Sequence, residues 1–258
     1  LRLRAARLMM TSHSDKGVIT GASVIGPAHI RQHMPNQDAF KYRNYGYGCV
    51  MAVADGVGSD RYSHFGSKAV VQAVHEAFCA YVRGDISRTQ ITKSIYRHYV
   101  SILKTRYQSA ASTTCLFAAY IFNQGLYLGL IGDGIICGSI NSQPFVMQKK
   151  TDSFTNIVKP LSPQRPNPIW TTKFIPEDRL HSIRLMLATD GVSDDILPNK
   201  ESDFATYLID CVNAWRAEDR QIKLLNLLEN WETPRSLDDK TVVLYQHFRN
   251  KAEVSLYG

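Results

Sequence analysis

Hydrophobic and polar positions follow two periods along the chain, and the change from one to the other marks the predicted elements. Residues 47–54 form an apolar run that ends at Asp55-Gly56, which indicates a buried strand. Over residues 63–81 apolar positions recur at spacings of three and four, which predicts an amphipathic helix. A second helix is predicted over residues 88–107, after a break at Gly84-Asp85.

The second half of the chain begins with short β-rich runs. The turn residues Asn123-Gln124-Gly125 separate two of them, and five of the ten prolines fall in residues 151–183, which predicts a mobile loop there. Further strands are predicted over residues 113–122, 126–131, 135–140, 145–148, 184–189 and 241–248, and further helices near 202–216 and 218–231. The order of elements predicts an α+β protein whose sheets are covered by helix pairs.

Composition narrows the class of protein without fixing its function. The chain has 258 residues and a formal net charge of +7, and its apolar runs are all too short to span a membrane. Five cysteines occur singly, without a Cys-x-x-Cys pair, so we expect free thiols in the cytoplasm. There is no basic stripe with interleaved aromatic residues, so no nucleic-acid partner is expected. Residues 1–15 are set aside as an N-terminal extension, and residues 16–258 are expected to form a single domain.

Acidic residues stand at the ends of the predicted strands. Asp55, Asp133 and Asp190 each precede a glycine, while Asp38 and Asp238-Asp239 flank other strands. Each Asp-Gly pair alone is explained by an ordinary turn. If the strand ends converge, however, the carboxylates repel one another and require a cation between them. Carboxylate oxygens suit Mg²⁺ or Mn²⁺, whereas a His and Cys cluster would have indicated zinc.

Six segments stand out in order along the chain. They are Asn36-Gln37-Asp38-Ala39, Val53-Ala54-Asp55-Gly56-Val57-Gly58, Ser112-Thr113-Thr114, Gly129-Leu130-Ile131-Gly132-Asp133-Gly134, Leu187-Ala188-Thr189-Asp190-Gly191-Val192 and Asp238-Asp239-Lys240-Thr241-Val242-Val243. They resemble the motifs of metal-dependent protein phosphatases of the PP2C type, and more closely those of compact bacterial members. Each motif alone is weak, but six in the right order are specific, and the resemblance runs from about residue 21 to residue 245.

The resemblance implies a four-layer α/β/β/α sandwich of two antiparallel sheets, with residues 151–183 as a flap-like segment. It also implies two Mn²⁺ or Mg²⁺ ions, a third, weaker ion site, and attack on phosphoserine or phosphothreonine by a water or hydroxide that bridges the metals. The implied catalytic residues are Asp38, Asp55, Asp190 and Asp238. The implied metal ligands are these four aspartates, with Asp55 as the bridge, together with the Gly56 carbonyl and, for the third ion, Asp133.

The sequence departs from the family pattern where the substrate phosphate is bound. The family often has an arginine five residues before the first-motif aspartate, and here that position is His33. Arg31 and His29 lie nearby as substitutes, and His64 is a weaker candidate for the substrate site. The first-motif glutamate is Gln37.

Three hypotheses follow for the activity. The first is a phosphatase that acts on a phosphorylated protein, with a cognate Ser/Thr kinase as a further partner, no membrane association and a monomeric state. Its basic residues would then steer anionic substrates towards the site. The second is a pseudophosphatase that binds phosphoproteins, suggested by His33 and Gln37 and opposed by the retained acids. The third is another two-metal phosphoester hydrolase, such as a nuclease, which shares the acids but lacks the ordered motifs.

Overall fold

The computed structural model describes residues 17–148, 160–231 and 235–248. The extension predicted over residues 1–15, and residues 151–159 of the Pro-rich segment, lie outside the described residues. Within the described ranges the chain forms ten strands. They are β1 (Val18–Val24), β2 (Ala39–Tyr45), β3 (Gly48–Ala54), β4 (Cys115–Ile121), β5 (Gly125–Ile131), β6 (Ile135–Ile140), β7 (Gln143–Gln148), β8 (Thr171–Pro176), β9 (Ser182–Ala188) and β10 (Lys240–Phe248).

The strands form two antiparallel sheets of five strands each. One sheet has the order β1-β10-β9-β6-β7, and the other has the order β2-β3-β4-β5-β8. Neighbouring strands begin and end at matched positions: Ala54 pairs with Ala39, and Ala188 pairs with both Ile135 and Val242. These registers bring the end of β3 beside the start of β2, and the end of β9 beside the starts of β6 and β10.

Helices cover the outer face of each sheet. The α-helices of the described residues are α1 (Pro27–Arg31), α2 (Ser63–Arg83), α3 (Ile91–Ile102), α4 (Asp190–Ser193), α5 (Glu201–Ala214) and α6 (Arg220–Glu229). The first long helix, α2, packs with α3 against the β2-to-β8 sheet, and α5 and α6 pack against the β1-to-β7 sheet. This is the four-layer α+β sandwich that the resemblance implied. No helix among the described residues has both the length and the apolar content to cross a membrane.

The uninterrupted apolar run of β3 follows from burial on both of its faces. Val50, Ala52 and Ala54 point into the core under α2 and α3, while Met51 and Val53 point into the core between the two sheets. Successive side chains of a strand point to opposite faces, so a central strand of a four-layer fold has no position left for water. Each such layer removes several large side chains from solvent, and the burial of each side chain stabilises the fold by about 1.5–3 kcal/mol.

Helix α2 begins and ends where its sequence allows. Gly84 follows the last turn with a φ of 83°, the left-handed conformation that glycine adopts without strain. Near the start, a Cβ at Gly66 would lie 2.0 Å from the Ala111 carbonyl oxygen, so only glycine permits this close approach. The helix therefore begins tightly against residues 110–113, beside the loop that follows β3.

The Pro-rich segment differs from the predicted loop. Thr171–Pro176 forms β8, which extends its sheet by pairing with β5, and a short 3₁₀ turn follows at Glu177–Arg179. Trp170 and Phe174 pack on Phe117 and Tyr127, at ring-centroid distances of 5.6 and 4.5 Å. The prediction of loop is thus wrong for β8, because a strand at the edge of a sheet tolerates nearby prolines.

Candidate metal centre

The sandwich brings the predicted acids to one end. Asp55 directly follows β3, Asp38 directly precedes β2, and Asp190 follows β9 by two residues at the first position of α4. Asp133 lies between β5 and β6, and Asp238 lies two residues before β10. Because paired antiparallel strands end and begin at the same edge, these five positions from distant parts of the chain become neighbours.

Three of the carboxylates form a compact cluster. One oxygen each from Asp55, Asp133 and Asp190 lies within 4.8 Å of the other two. Such spacing brings like charges together at the surface of the sandwich end. A cation between them would turn this repulsion into coordination.

Asp38 lies behind the cluster and is nearly inaccessible, with 5% of its surface exposed. Its Oδ2 accepts a hydrogen bond of 2.8 Å from the Thr189 hydroxyl, while its Oδ1 is buried without a hydrogen-bond donor among the described residues. Burial, together with the charge of Asp239, raises the pKa of Asp38 to about 8. A buried carboxylate oxygen without a donor is expensive unless a proton or a cation satisfies it.

The conflict between burial and ionisation of a carboxyl group is strongest at Asp55. Burial raises its pKa to about 11, and the charges of Asp38, Asp190 and Asp238 add to the effect. Burial also raises the pKa of Asp190 to about 7, with Asp133 and Asp238 contributing. These carboxyl groups cannot all ionise at neutral pH as they stand. The donor set consists of hard oxygens, so it fits Mg²⁺ or Mn²⁺.

Backbone contacts fix Asp55 and Gly56 in place. The Asp55 carbonyl accepts hydrogen bonds of 2.7 Å from the Thr113 hydroxyl and from the Thr114 amide. A Cβ at Gly56 would lie 2.7 Å from Cβ of Ser63, the first residue of α2, so the glycine lets the helix approach the site. The Gly56 carbonyl as a metal ligand stays a prediction.

Asp239 has a different role from its neighbour Asp238. The Asp238 side chain is 46% exposed beside the cluster, whereas the Asp239 side chain is 1% exposed. Oδ1 of Asp239 accepts from the Gly26 amide at 2.7 Å, and Oδ2 accepts from the Gln37 amide at 2.6 Å. Asp239 therefore ties the segments before α1 and before β2 to β10. The adjacent acids were visible in the sequence, but this role was not.

A cleft of about 860 Å³ opens beside Asp238. Its walls come from α1 and the segment after it, the loop after β3, the residue that follows α4 and the segment before β10. The lining residues are Ala28, His29, Gln32, Met34, Gly58, Asp194, Arg235, Ser236, Leu237 and Asp238.

The structure separates the predicted substrate-binding residues. His29 lines the cleft, and its Nδ1 lies 2.9 Å from Asp239 Oδ2, although outside hydrogen-bonding geometry. Arg31 and His33 are exposed and are absent from the described lining. His64 is likewise absent from it, and its ring lies 4.1 Å from that of Phe65. Arg235 was missed, although its place three residues before Asp238 was a signal available in the sequence.

Fold and site together define a class of protein: a two-sheet α+β sandwich with a carboxylate cluster at one end that could hold metal ions. The family model described as protein phosphatase 2C matches residues 25–229. The chain therefore belongs to the protein phosphatase 2C family. A search of curated protein sequences finds no significant match.

Solved structures show the same fold at low sequence identity. Serine/threonine phosphatase Stp1 from Staphylococcus aureus is 20% identical with a TM-score of 0.60, and the match covers 96% of this chain and 100% of that one. The phosphatase MsPP from Mycobacterium smegmatis, solved with cacodylate, is 18% identical with a TM-score of 0.60, over 88% and 97% of the two chains. RsbX, solved with magnesium, is 14% identical with a TM-score of 0.54, over 88% and 93%.

Proposed function

We propose that this chain hydrolyses phosphoserine and phosphothreonine monoesters of a protein substrate at the acid cluster beside the cleft. Membership of the protein phosphatase 2C family makes it a metal-dependent serine/threonine phosphatase. One observation carries the assignment to this site. One oxygen each from the carboxylates of Asp55, Asp133 and Asp190 lies within 4.8 Å of the other two at the end of the sandwich, which is a spacing suited to a bound cation.

The acids would hold the cations in distinct ways. Asp55 would contact two Mn²⁺ or Mg²⁺ ions, with the Gly56 carbonyl beside it. Asp190 and Asp238 would hold one ion, Asp38 would serve the other, and Asp133 would serve a third, weaker site. Bound divalent ions lower the pKa of coordinated water and neutralise phosphoryl charge.

The protein's own contribution is to hold these ligands still. Thr189 donates to Asp38, and the Thr189 hydroxyl in turn accepts the Thr241 amide at 3.1 Å. Thr113 and Thr114 hold the backbone of Asp55. Because the ligands are fixed by neighbouring strands, little reorganisation is needed when charge develops on the substrate.

The test is hydrolysis of a phosphoserine peptide and of p-nitrophenyl phosphate by the full chain, with and without Mn²⁺. We expect turnover that requires the metal and falls by at least about 10³-fold in Asp55→Asn, as expected when a group essential to charge stabilisation is removed. Asp203→Asn is the matched control, because the Asp203 side chain is 70% exposed and, among the described residues, its ion pair is with Lys200.

Other outcomes separate the alternatives. Metal-independent turnover, or full activity in Asp55→Asn, would contradict the proposal. Mn²⁺ binding by calorimetry without turnover would favour a pseudophosphatase, and cleavage of plasmid DNA without peptide dephosphorylation would favour a nuclease. A cognate kinase, a monomeric state and a cytoplasmic location stay predictions from the sequence.

A further inference from the structure

Among the described residues that line the cleft, His29 is the one predicted substrate-binding residue, and it is not an arginine. A phosphoryl group carries two negative charges, and arginine binds it with a planar fork of donors. Arg31 and His33 are absent from the described lining of the cleft, and Arg31 Nε donates instead to the Pro27 carbonyl of its own helix at 3.1 Å. Residue 33, where the family often has its arginine, therefore does not supply a phosphate-binding arginine to the cleft.

Arg235 is the single lysine or arginine among the described residues that line the cleft. It shares the lining with Asp238, one of the acids of the proposed metal centre, and with Gly58, from the loop that follows Asp55. None of the described carboxylates forms an ion pair with the Arg235 guanidinium. An exposed arginine in this lining is available to an anion that enters the cleft.

The backbone around Arg235 is held by a buried ion pair. Oδ1 of Asp195 accepts hydrogen bonds from the amides of Arg235 and Ser236. Oδ2 of the same side chain lies 3.4 Å from Nζ of Lys240, which also donates to the Ser236 carbonyl at 2.9 Å. The side chains of Asp195 and Lys240 are 1% and 5% exposed. This arrangement fixes the backbone from which the Arg235 side chain starts, and it does not use the side chain itself.

We propose that Arg235 binds the phosphoryl oxygens of the substrate, and so takes over the task of the arginine that this chain lacks at position 33. The inference rests on the proposed function, since it assigns the phosphate-binding side chain of that same site. The replacement comes from the other wall of the cleft, from the segment before β10 instead of the segment before β2.

The experiment compares Arg235→Ala, Arg235→Lys and Arg83→Ala in the Mn²⁺-loaded full chain. Arg83 is the matched control: it removes the same charge, its side chain is 65% exposed, and it ends α2, a helix of 21 residues. Because α2 starts beside Gly56, about 1.5 Å of rise per residue places Arg83 roughly 30 Å from the site. Thermal unfolding checks that each variant folds, and Arg235→Lys keeps the test valid should the alanine variant unfold.

Three quantities are measured: KM and kcat for p-nitrophenyl phosphate, the same for a phosphoserine peptide, and the inhibition constant of inorganic phosphate. The two substrates and the inhibitor share only the phosphoryl group. We expect Arg235→Ala to raise KM for both substrates and the inhibition constant by about 10- to 100-fold, the loss of one charge-assisted bidentate contact. For Arg235→Lys, KM and the inhibition constant should lie between those of the parent and Arg235→Ala, because an ammonium group cannot form the bidentate contact of a guanidinium. Arg83→Ala should stay within about twofold of the parent.

Two outcomes would overturn the inference while leaving the proposed function intact. If only the peptide is affected, Arg235 binds a flanking acidic residue and not the phosphoryl group. If Arg83→Ala has the same effect as Arg235→Ala, the protein's overall charge explains it. If the parent shows no Mn²⁺-dependent turnover, the proposed function fails, and calorimetry with inorganic phosphate still decides: equal affinity in the parent and Arg235→Ala overturns the inference.

Discussion

Two groups of buried charges lie side by side at the end of the sandwich, and they are built in opposite ways. The unpaired group consists of Asp38, Asp55 and Asp190, which form no ion pair among the described residues. Burial raises the pKa of each, and the charges of neighbouring aspartates add to the effect. The paired group consists of Asp195, Asp239 and Lys240. In that group Asp239 accepts hydrogen bonds from two backbone amides. Asp195 accepts hydrogen bonds from two other backbone amides and forms an ion pair with Lys240.

The difference in hydrogen bonding and ion pairing distinguishes the acids that stabilise the fold from those that are suited to bind a ligand. A buried carboxylate with its donors in place connects segments that are far apart in sequence, as Asp239 connects Gly26 and Gln37. A buried carboxylate that lacks a cation and some of its hydrogen-bond donors costs stability, and a fold keeps it only where another interaction offsets that cost. Changes to the paired group should therefore destabilise the protein, and changes to the unpaired group should stabilise its metal-free form.

The largest effect is expected from Lys240→Met. It removes the cation that faces Asp195 and the donor to the carbonyls of Gly191 and Ser236. Breaking one partner of a buried pair leaves an uncompensated charge, so we expect the free energy of unfolding to fall by about 3–5 kcal/mol. Urea denaturation measures it. Lys200→Met is the control, because its pair with Asp203 is exposed and should contribute less than about 1 kcal/mol. Equal losses in the two variants would contradict a structural role for the buried pair.

A somewhat smaller effect is expected from Asp239→Ala. The change leaves the amides of Gly26 and Gln37 without an acceptor in a buried place, which should cost about 2–3 kcal/mol. Asp239→Asn keeps one acceptor oxygen and should lose less. Urea denaturation compares the two variants, and hydrogen exchange at the two amides locates the change. If the alanine and asparagine variants are equally stable, the carboxylate is not what joins the three segments.

Local patterns in the sequence predicted most of the fold and the identity of the unpaired acids. The apolar run of β3 and the spacing of apolar residues in α2 are properties of neighbouring residues. The acids could be recognised because each lies next to a predicted strand. The family motifs then ordered them. The structure adds what adjacency cannot show, which is that β9 and β3 end at the same edge of the sandwich.

The paired group and the cleft could not be predicted in the same way. Asp239 and Gln37 are 202 positions apart, and their contact is to a backbone amide that carries no residue-type signal. Arg31 and His33 were favoured because they lie close in sequence to the family's arginine position. Helix α1 instead leaves them exposed, and the segment before β10 supplies Arg235 to the lining. Proximity in sequence does not identify the lining, because the cleft is built from both ends of the chain.

The smallest of the three effects has the opposite sign and depends on pH. Unfolded Asp55 loses its proton near pH 3.9, while in the folded, metal-free protein its pKa is raised to about 11. Between these values the folded state binds more protons than the unfolded state, so the stability that this group contributes falls as pH rises. Asp55→Asn has no such proton to release. In EDTA we therefore expect Asp55→Asn to unfold at a free energy about 2 kcal/mol above that of the parent at pH 7, with a smaller difference at pH 5.

Saturating Mn²⁺ should reverse the order, since metal bound to the folded parent stabilises it by mass action and the variant lacks a central ligand. Thermal and urea unfolding of both proteins at pH 5 and pH 7, each with EDTA and with Mn²⁺, measure the four differences. Asp203→Asn, an exposed acid, should show neither the pH dependence nor the reversal. A parent that is more stable than Asp55→Asn in EDTA at pH 7 would mean that the protein itself stabilises the Asp55 carboxylate. Asp55 would then belong with the paired group, and the distinction between the two groups of charges would be wrong.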